Sequence, residues 1–177
     1  QVYRGSLFLR GFDDDLRKTL AVEMRKKGID LRFDTNPEKI EKVNGGIRAT
    51  LTGGVGVEAD LIMFATGRSP NTRTLGLNSV AVELNTKGAV VVDEYSRSTV
   101  PSIYAIGDCT DRLNLTPVAI AEGRAVAETL FNNNPMKPNH TNVPCAVFSQ
   151  PSVGTVGLTE TEACEQYGKF DVYRANF

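Results

Sequence analysis

An α/β fold is predicted for this chain, and three observations carry it. A capped amphipathic helix over residues 13–28 stands between extended segments. Short apolar runs of strand composition recur on both sides of it, separated by Gly and Asn turns. A second capped helix follows closely on an apolar run that ends in Gly107-Asp108. Strands alternating with helices in this way build sheets covered by helices, with ligands held beyond the carboxyl ends of the strands. At 177 residues the chain has room for one ordinary domain or for pieces of two or three.

Gln1-Val2-Tyr3-Arg4 reads as a strand. In the first helix, Asp13 is the expected N-cap, and Asp14 and Asp15 suit the positive helix end. Leu16, Leu20 and Met24 form its apolar stripe, and Gly28 stops it after Arg25, Lys26 and Lys27. Strands are expected at 29–33, 39–43, 47–51 and 57–64, with Asn44-Gly45-Gly46 turning a hairpin. The breaker-rich run Ala65-Thr66-Gly67-Arg68-Ser69-Pro70-Asn71-Thr72 leaves this unit. Two more strands are expected at 89–92 and 103–106. The helix that follows spans 117–131, with Thr116 as N-cap and Pro117 in the first helical position. A Pro/Asn linker fills 132–142. Beyond it, 143–148 and 171–177 read as extended, and 159–167 as a helix opened by a Thr159/Glu162 capping box. The chain divides at about residue 70 and again at about 140, giving expected segments 1–70, 71–140 and 141–177.

Composition excludes several classes. Twenty basic against 21 acidic side chains leave a formal charge of −1, which gives no support to a nucleic-acid partner. The longest apolar runs are too short to span a bilayer, so no membrane partner is expected. Cys109, Cys145 and Cys164 form neither a close redox pair nor a zinc pattern, and no metal site is expected. Three free thiols suit a reducing compartment. The single histidine, His140, sits in a turn-rich stretch and reads as an exposed loop residue. With no initiator Met and extended runs at both ends, the chain is expected to be a fragment.

The chemistry concentrates in two motifs and the helix after them. Ala65 to Thr72 follows an apolar run, and Ser102-Ile103-Tyr104-Ala105-Ile106-Gly107-Asp108 reads as a buried strand. Gly107 would let the backbone approach a ligand closely, and Asp108 supplies a carboxylate able to accept hydrogen bonds from a polyol. The helix N-terminus near Thr116 presents unpaired N–H groups and about half a positive charge. Arg124 lies two helical turns beyond Pro117, on the same face, where a guanidinium can clamp a carboxylate. Nearer the start, Arg4 and Arg10 frame the short loop Gly5 to Leu9, before Gly11-Phe12-Asp13.

The order of these motifs, and the run Leu115-Thr116-Pro117-Val118-Ala119 above all, resembles the flavin-dependent pyridine-nucleotide disulfide reductases, and among them the glutathione reductases. The resemblance covers nearly the whole chain. It implies Rossmann-like FAD/NAD(P)-binding three-layer portions, followed by the start of an α+β dimerisation domain. The three segments then become the C-terminal part of an NADPH-binding domain, a late piece of an FAD-binding domain and the opening of a dimer interface. By the same resemblance, FAD is contacted by Asp108, Leu115 and Thr116, with the start of the helix facing the pyrimidine edge of the flavin. NADPH falls to Arg4, Arg10, Gly67, Arg68, Asn114 and Ala146. The two arginines supply the cationic clamp that a 2′-phosphate needs and NADH does not. Arg124 is implied at the substrate, glutathione disulfide.

The resemblance also marks what these 177 residues do not contain: Gly-x-Gly-x-x-Gly fingerprints, a cysteine pair with four residues between its members, and a His-Pro pair with its acidic partner. No catalytic residue is therefore assigned, and the fragment alone is not expected to turn over. The implied parent is an NADPH-dependent enzyme and a homodimer, cytoplasmic or in a plastid stroma. Three related reductases remain open beside it, acting on trypanothione, dihydrolipoamide or mercuric ion. So does a non-catalytic nucleotide-binding module. Arg124 opposes the first of these, and Arg4 with Arg10 the NAD-linked dihydrolipoamide enzyme.

Overall fold

A computed structural model describes residues 1–175, and the chain forms two compact units. One comprises Gln1–Ala65 with the described part of Pro144–Phe177, the other Thr66–Val143.

The first unit opens with a miniature crossover. Two short extended segments flank helix α1 (Asp14–Lys26) and meet through a parallel bridge between Val2 and Arg32. Tyr3 N–H donates to the Arg32 carbonyl at 2.8 Å, and Arg32 N–H to the Gln1 carbonyl at 2.9 Å. The strand expected at 29–33 is thus a single bridge; beyond it Thr35 N–H donates to the Tyr3 carbonyl at 3.1 Å and Asp34 N–H to the Gly5 carbonyl at 3.0 Å without extending the ladder. Helix α1 begins and ends as its caps dictate: Asp13 accepts the Asp15 N–H, and Gly28 turns the chain at φ 83°. Its inner face sets Leu20 and Ala21 against Phe8 and Leu31, with Met24, Tyr3 and Val153 around them. Burying Phe8, Leu20 and Leu31 stabilises by about 1.5–3 kcal/mol each.

An antiparallel sheet follows, in the order β1 (Pro37–Val43), β2 (Gly46–Leu51), β3 (Val55–Ala59). The Asn44-Gly45 turn closes the expected hairpin, pairing Val43 with Gly46. Ala49 and Leu51 point to the buried face of β2, two residues apart as the pleat requires. The strand expected to run to Phe64 stops at Ala59, opposite Ile47 near the start of β2. Leu61, Met63 and Phe64 lie exposed beyond it. In the same unit, β4 (Cys145–Val147) pairs with β5 (Val153–Thr155), ahead of helix α3 (Glu160–Tyr167). The Thr159/Glu162 capping box forms as the sequence predicts. Residues 171–175 carry no strand, and the remainder of that expected run, 176–177, lies outside the described residues.

The second unit is mostly turns around Ala89, Val90, Val82 and the buried Ser96, with helix α2 (Thr116–Phe131) as its one long element. The strands expected at 89–92 and 103–106 are reduced to isolated bridges, Leu84 to Val90, Val92 to Ser98 and Arg97 to Tyr104. The run before Gly107 is accordingly half-buried, with Ile106 exposed, and is no buried strand. Side chains replace the missing ladder: Asn85 accepts from the N–H of Lys87 and Ala89, and Asp93 from Tyr95 and Arg97.

Candidate functional site

Gly107 opens a 3-10 turn, Gly107–Thr110, at φ 67°, a backbone conformation that side chains strain to adopt. A Cβ there would come within 3.0 Å of the Ala119 Cβ, and one at Gly123 within 3.1 Å of Ile106 Cδ1. One glycine on the turn and one on α2 therefore let Ile106 and Gly107 lie directly against the first turns of the helix.

A buried carboxylate completes that contact. Glu122, 1% exposed, accepts the Gly107 N–H at Oε2 at 2.6 Å. Its Oε1 meets Arg112 Nη2 at 2.8 Å and His140 Nε2 at 2.7 Å. Arg112 Nη2 also donates to Ser96 Oγ at 2.9 Å, and Thr110 Oγ1 donates to the Gly107 carbonyl at 2.8 Å. Both backbone groups of Gly107 are thus held by side chains, and the buried charge has the partners it needs. His140 corrects the sequence reading: it is half-buried and faces Glu122 instead of standing free in a loop. Sequence reasoning passed over Glu122 as well, although a signal was present. Val118, Glu122 and Ala125 repeat at i, i+4 and i+7, the core stripe of the helix, and all three are buried.

Asp108 leaves this brace half-exposed and accepts Arg68 Nε at 3.0 Å. The structure so joins two predicted site residues forty positions apart; Gly67, beside them, is exposed. The helix start is shifted by one residue from its expected place. Leu115 is the N-cap, in extended conformation and without a capping side chain, and Thr116 and Pro117 are the first two helical residues. Pro tolerates either position because its missing N–H belongs to the unpaired set anyway. Asn114 is committed locally, its amide donating to Asp111 Oδ1 at 3.0 Å. The Lys87 ammonium at 2.8 Å, with that amide, holds the Asp111 carboxyl below the usual carboxylate range. Arg124 stands exposed on α2.

In the first unit, Arg4 and Arg10 are both exposed at the ends of a loop pinned from below. Arg17 reaches from α1 to donate to the Leu7 carbonyl through Nη2 and to the Phe8 carbonyl through Nε, each at 2.7 Å. Phe8 itself is anchored in the core. Nothing in the sequence reading singled out Arg17. Directly after the loop, Asp13 serves two helices, accepting the Asp15 N–H of α1 and the Glu160 N–H of α3 at 2.9 Å. The Glu160 hydrogen bond is the main cause that lowers the Asp13 carboxyl from its ordinary value. Ala146 lies exposed in β4, opposite Gly154.

All three thiols are free. Cys109 hydrogen-bonds to the Ile106 carbonyl, and burial pushes its thiol up, away from the reactive thiolate.

A carboxylate on a turn clamped to an uncapped helix start can take a hydroxyl-bearing ligand whose anionic part faces the helix. That chemistry agrees with the sequence matches: residues 1–123 of this chain match the pyridine nucleotide-disulphide oxidoreductase family, and residues 143–177 match the pyridine nucleotide-disulphide oxidoreductase dimerisation domain. The chain belongs to this family of flavin- and pyridine-nucleotide-dependent oxidoreductases. Among its relatives, glutathione reductase of Burkholderia cepacia is 50% identical over 177 residues, all of this chain and 39% of that protein. The chloroplastic/mitochondrial glutathione reductase of Pisum sativum is 52% identical over 170 residues, 96% of this chain and 31% of its own length. Trypanothione reductase of Trypanosoma congolense is 48% identical over 99% of the chain and 36% of that protein. The chain therefore spans between 31% and 39% of the length of these relatives. Among solved structures, the HOCl-induced flavoprotein disulfide reductase RclA of Escherichia coli superposes with a TM-score of 0.87 at 29% identity. That match covers 93% of this chain and 38% of the other. The glutathione reductases similar to this chain use FAD and NADPH. Among the described residues no helix is long and apolar enough to cross a membrane.

Proposed function

We propose that this chain is part of an NADPH-dependent reductase of glutathione disulfide, whose remaining parts carry the redox cysteine pair. The observation that supports it most is the Gly107–Thr110 turn held against the uncapped start of α2 with Asp108 at its edge. FAD, when bound, supplies the relay between a two-electron hydride donor and a disulfide.

The residues of this chain have separate tasks in that reading. Thr116 and Leu115 bring the positive end of α2 to the pyrimidine edge of the flavin, where negative charge develops on reduction. Asp108 accepts a hydrogen bond from the ribityl chain, sharing its carboxylate with Arg68. Arg4 and Arg10 hold the 2′-phosphate of NADPH, while Gly67, Arg68, Asn114 and Ala146 border the rest of the nucleotide. Arg124 pairs with a substrate carboxylate. The match to a dimerisation domain supports a homodimer, and a reducing compartment such as the cytoplasm or a plastid stroma suits its three free thiols.

A second reading, a trypanothione-type substrate, is favoured by the 48% identity to such a reductase, nearly that of the glutathione enzymes. Arg124 decides between them, because a guanidinium favours an anionic disulfide and repels a cationic one. NADPH oxidation by the full-length protein should be fastest with glutathione disulfide. Arg124→Ala should cut kcat/KM for it by about 10-fold or more relative to a cationic disulfide. An unchanged ratio removes Arg124 from the substrate site, and a parent that prefers the cationic disulfide establishes the second reading.

A further inference from the structure

We propose that Glu122 is a positioning residue for the flavin: through its bond to the Gly107 amide it fixes the turn that aims Asp108. The inference rests on the flavin reading above and adds to it a residue outside the expected contacts.

Glu122 belongs to the same helix whose start is offered to the flavin, and Gly107 belongs to the turn that carries Asp108. One carboxylate therefore links the two halves of the site. Its Oε2 is spent on the Gly107 N–H at 2.6 Å, and Oε1 on Arg112 and His140. An isolated carboxylate at 1% exposure would be costly, and these partners remove the cost. The glycine explains why a side chain does this work. At φ 67° the Gly107 N–H has left the ladder of the preceding run, and no backbone carbonyl takes it among the described residues. Without Glu122 that amide would be buried without a partner, and the turn would re-orient to satisfy it. Asp108 is the next residue, so a change of the Gly107 backbone moves its carboxylate directly. Arg112 and His140 bond Glu122 at its other oxygen, Oε1, so their part is to fix the carboxylate itself.

The test uses the full-length protein, its Glu122→Ala and Glu122→Gln variants, and two measurements: amide exchange at Gly107 in flavin-stripped protein, and FAD affinity by fluorescence quenching. Glu122→Ala should lose protection at Gly107 and weaken FAD about 10- to 100-fold, the range for a hydrogen bond to a charged group. Glu122→Gln retains an acceptor oxygen for Gly107, so it should keep that protection and bind FAD within about threefold of wild type. A folded Glu122→Ala that binds FAD like wild type overturns the proposal. So does a Glu122→Gln that protects Gly107 yet binds FAD as weakly as the alanine variant. Should Glu122→Ala fail to fold, Glu122→Asp takes its place, its carboxylate one methylene short of Gly107. Lost protection with weakened FAD then supports the role, and retained protection with weakened FAD, or lost protection with wild-type FAD affinity, rejects it. If Glu122→Asp keeps both, Glu122→Ser is read in the same way. A wild-type protein that takes up no FAD sinks the flavin reading itself, which is a different result from variants indistinguishable from a flavin-loaded parent.

Discussion

Around Gly107 both backbone groups are answered by side chains gathered under the turn, whereas Arg4 and Arg10 stand in water on a loop held from beneath by Arg17. The first arrangement fixes a geometry and leaves little charge in reach of solvent. The second supplies charge and leaves its side chains free to adjust. A flavin ring needs donors already aimed at it, since reorganisation at the moment of electron transfer is costly. A phosphate offers several oxygens and accepts a cation from many directions, so mobile guanidiniums suffice. The two regions should accordingly respond differently to substitution, salt and pH.

The most damaging change should be Gly107→Ala. The new Cβ meets Ala119 at 3.0 Å and the backbone stands at φ 67°, so turn and helix must separate. A stability loss of about 1–3 kcal/mol is expected, with FAD affinity falling by about 100-fold or more. Thermal unfolding and flavin titration of the full-length protein would measure both. If Gly107→Ala bound FAD normally, the rigid side of the comparison would fail.

Next in size are Arg4→Ala and Arg10→Ala. Each should weaken NADPH by about 10- to 100-fold, with NADH hardly affected. Because both side chains are exposed, the loss should shrink steeply as salt is raised, and flavin binding should not follow it. Binding isotherms for the two nucleotides at low and high ionic strength would show this. Equal losses for NADH would remove the phosphate assignment.

The smallest effect belongs to Asp13, which anchors the end of the arginine loop. Asp13→Ala removes an acceptor from two helix starts and should cost about 1–2 kcal/mol. Since the folded carboxyl titrates below its ordinary value, its contribution is complete above roughly pH 4 and disappears as pH falls through the lowered value. Wild type and Asp13→Ala should therefore differ most in denaturant stability near neutral pH and converge in acid. A constant gap down to acid pH would contradict the double cap.

How much of this was legible follows the range of the interactions. Helix α1, the Asn44-Gly45 hairpin and the Thr159/Glu162 box were readable because cap, turn and stripe lie within a few residues of one another. The strand expected at 103–106 was not, because a strand exists only through a partner, and here the pairing is one bridge, Tyr104 with Arg97, closed by the Ser98–Ile103 and Ala105–Ser96 backbone bonds. Asp108, Thr116, Gly67 and Arg68 were found as motifs, yet the ion pair between Asp108 and Arg68 spans forty positions and left no local trace. Glu122 went unread, and His140 was read as an exposed loop residue, for the same reason: a polar side chain reads as solvated until its partners are seen. The periodic place of Glu122 between Val118 and Ala125 was the available clue. Arg17 carried no such mark, since its partners are backbone carbonyls, which any residue provides.

The measurement that bears most directly on the turn and helix as a flavin site is the visible absorbance of the purified full-length protein, calibrated to flavin released on denaturation. A yellow protein with about one flavin per chain is expected, bleached anaerobically by NADPH at far lower concentration than by NADH. A folded protein that is colourless, and stays so after incubation with FAD, would contradict the account.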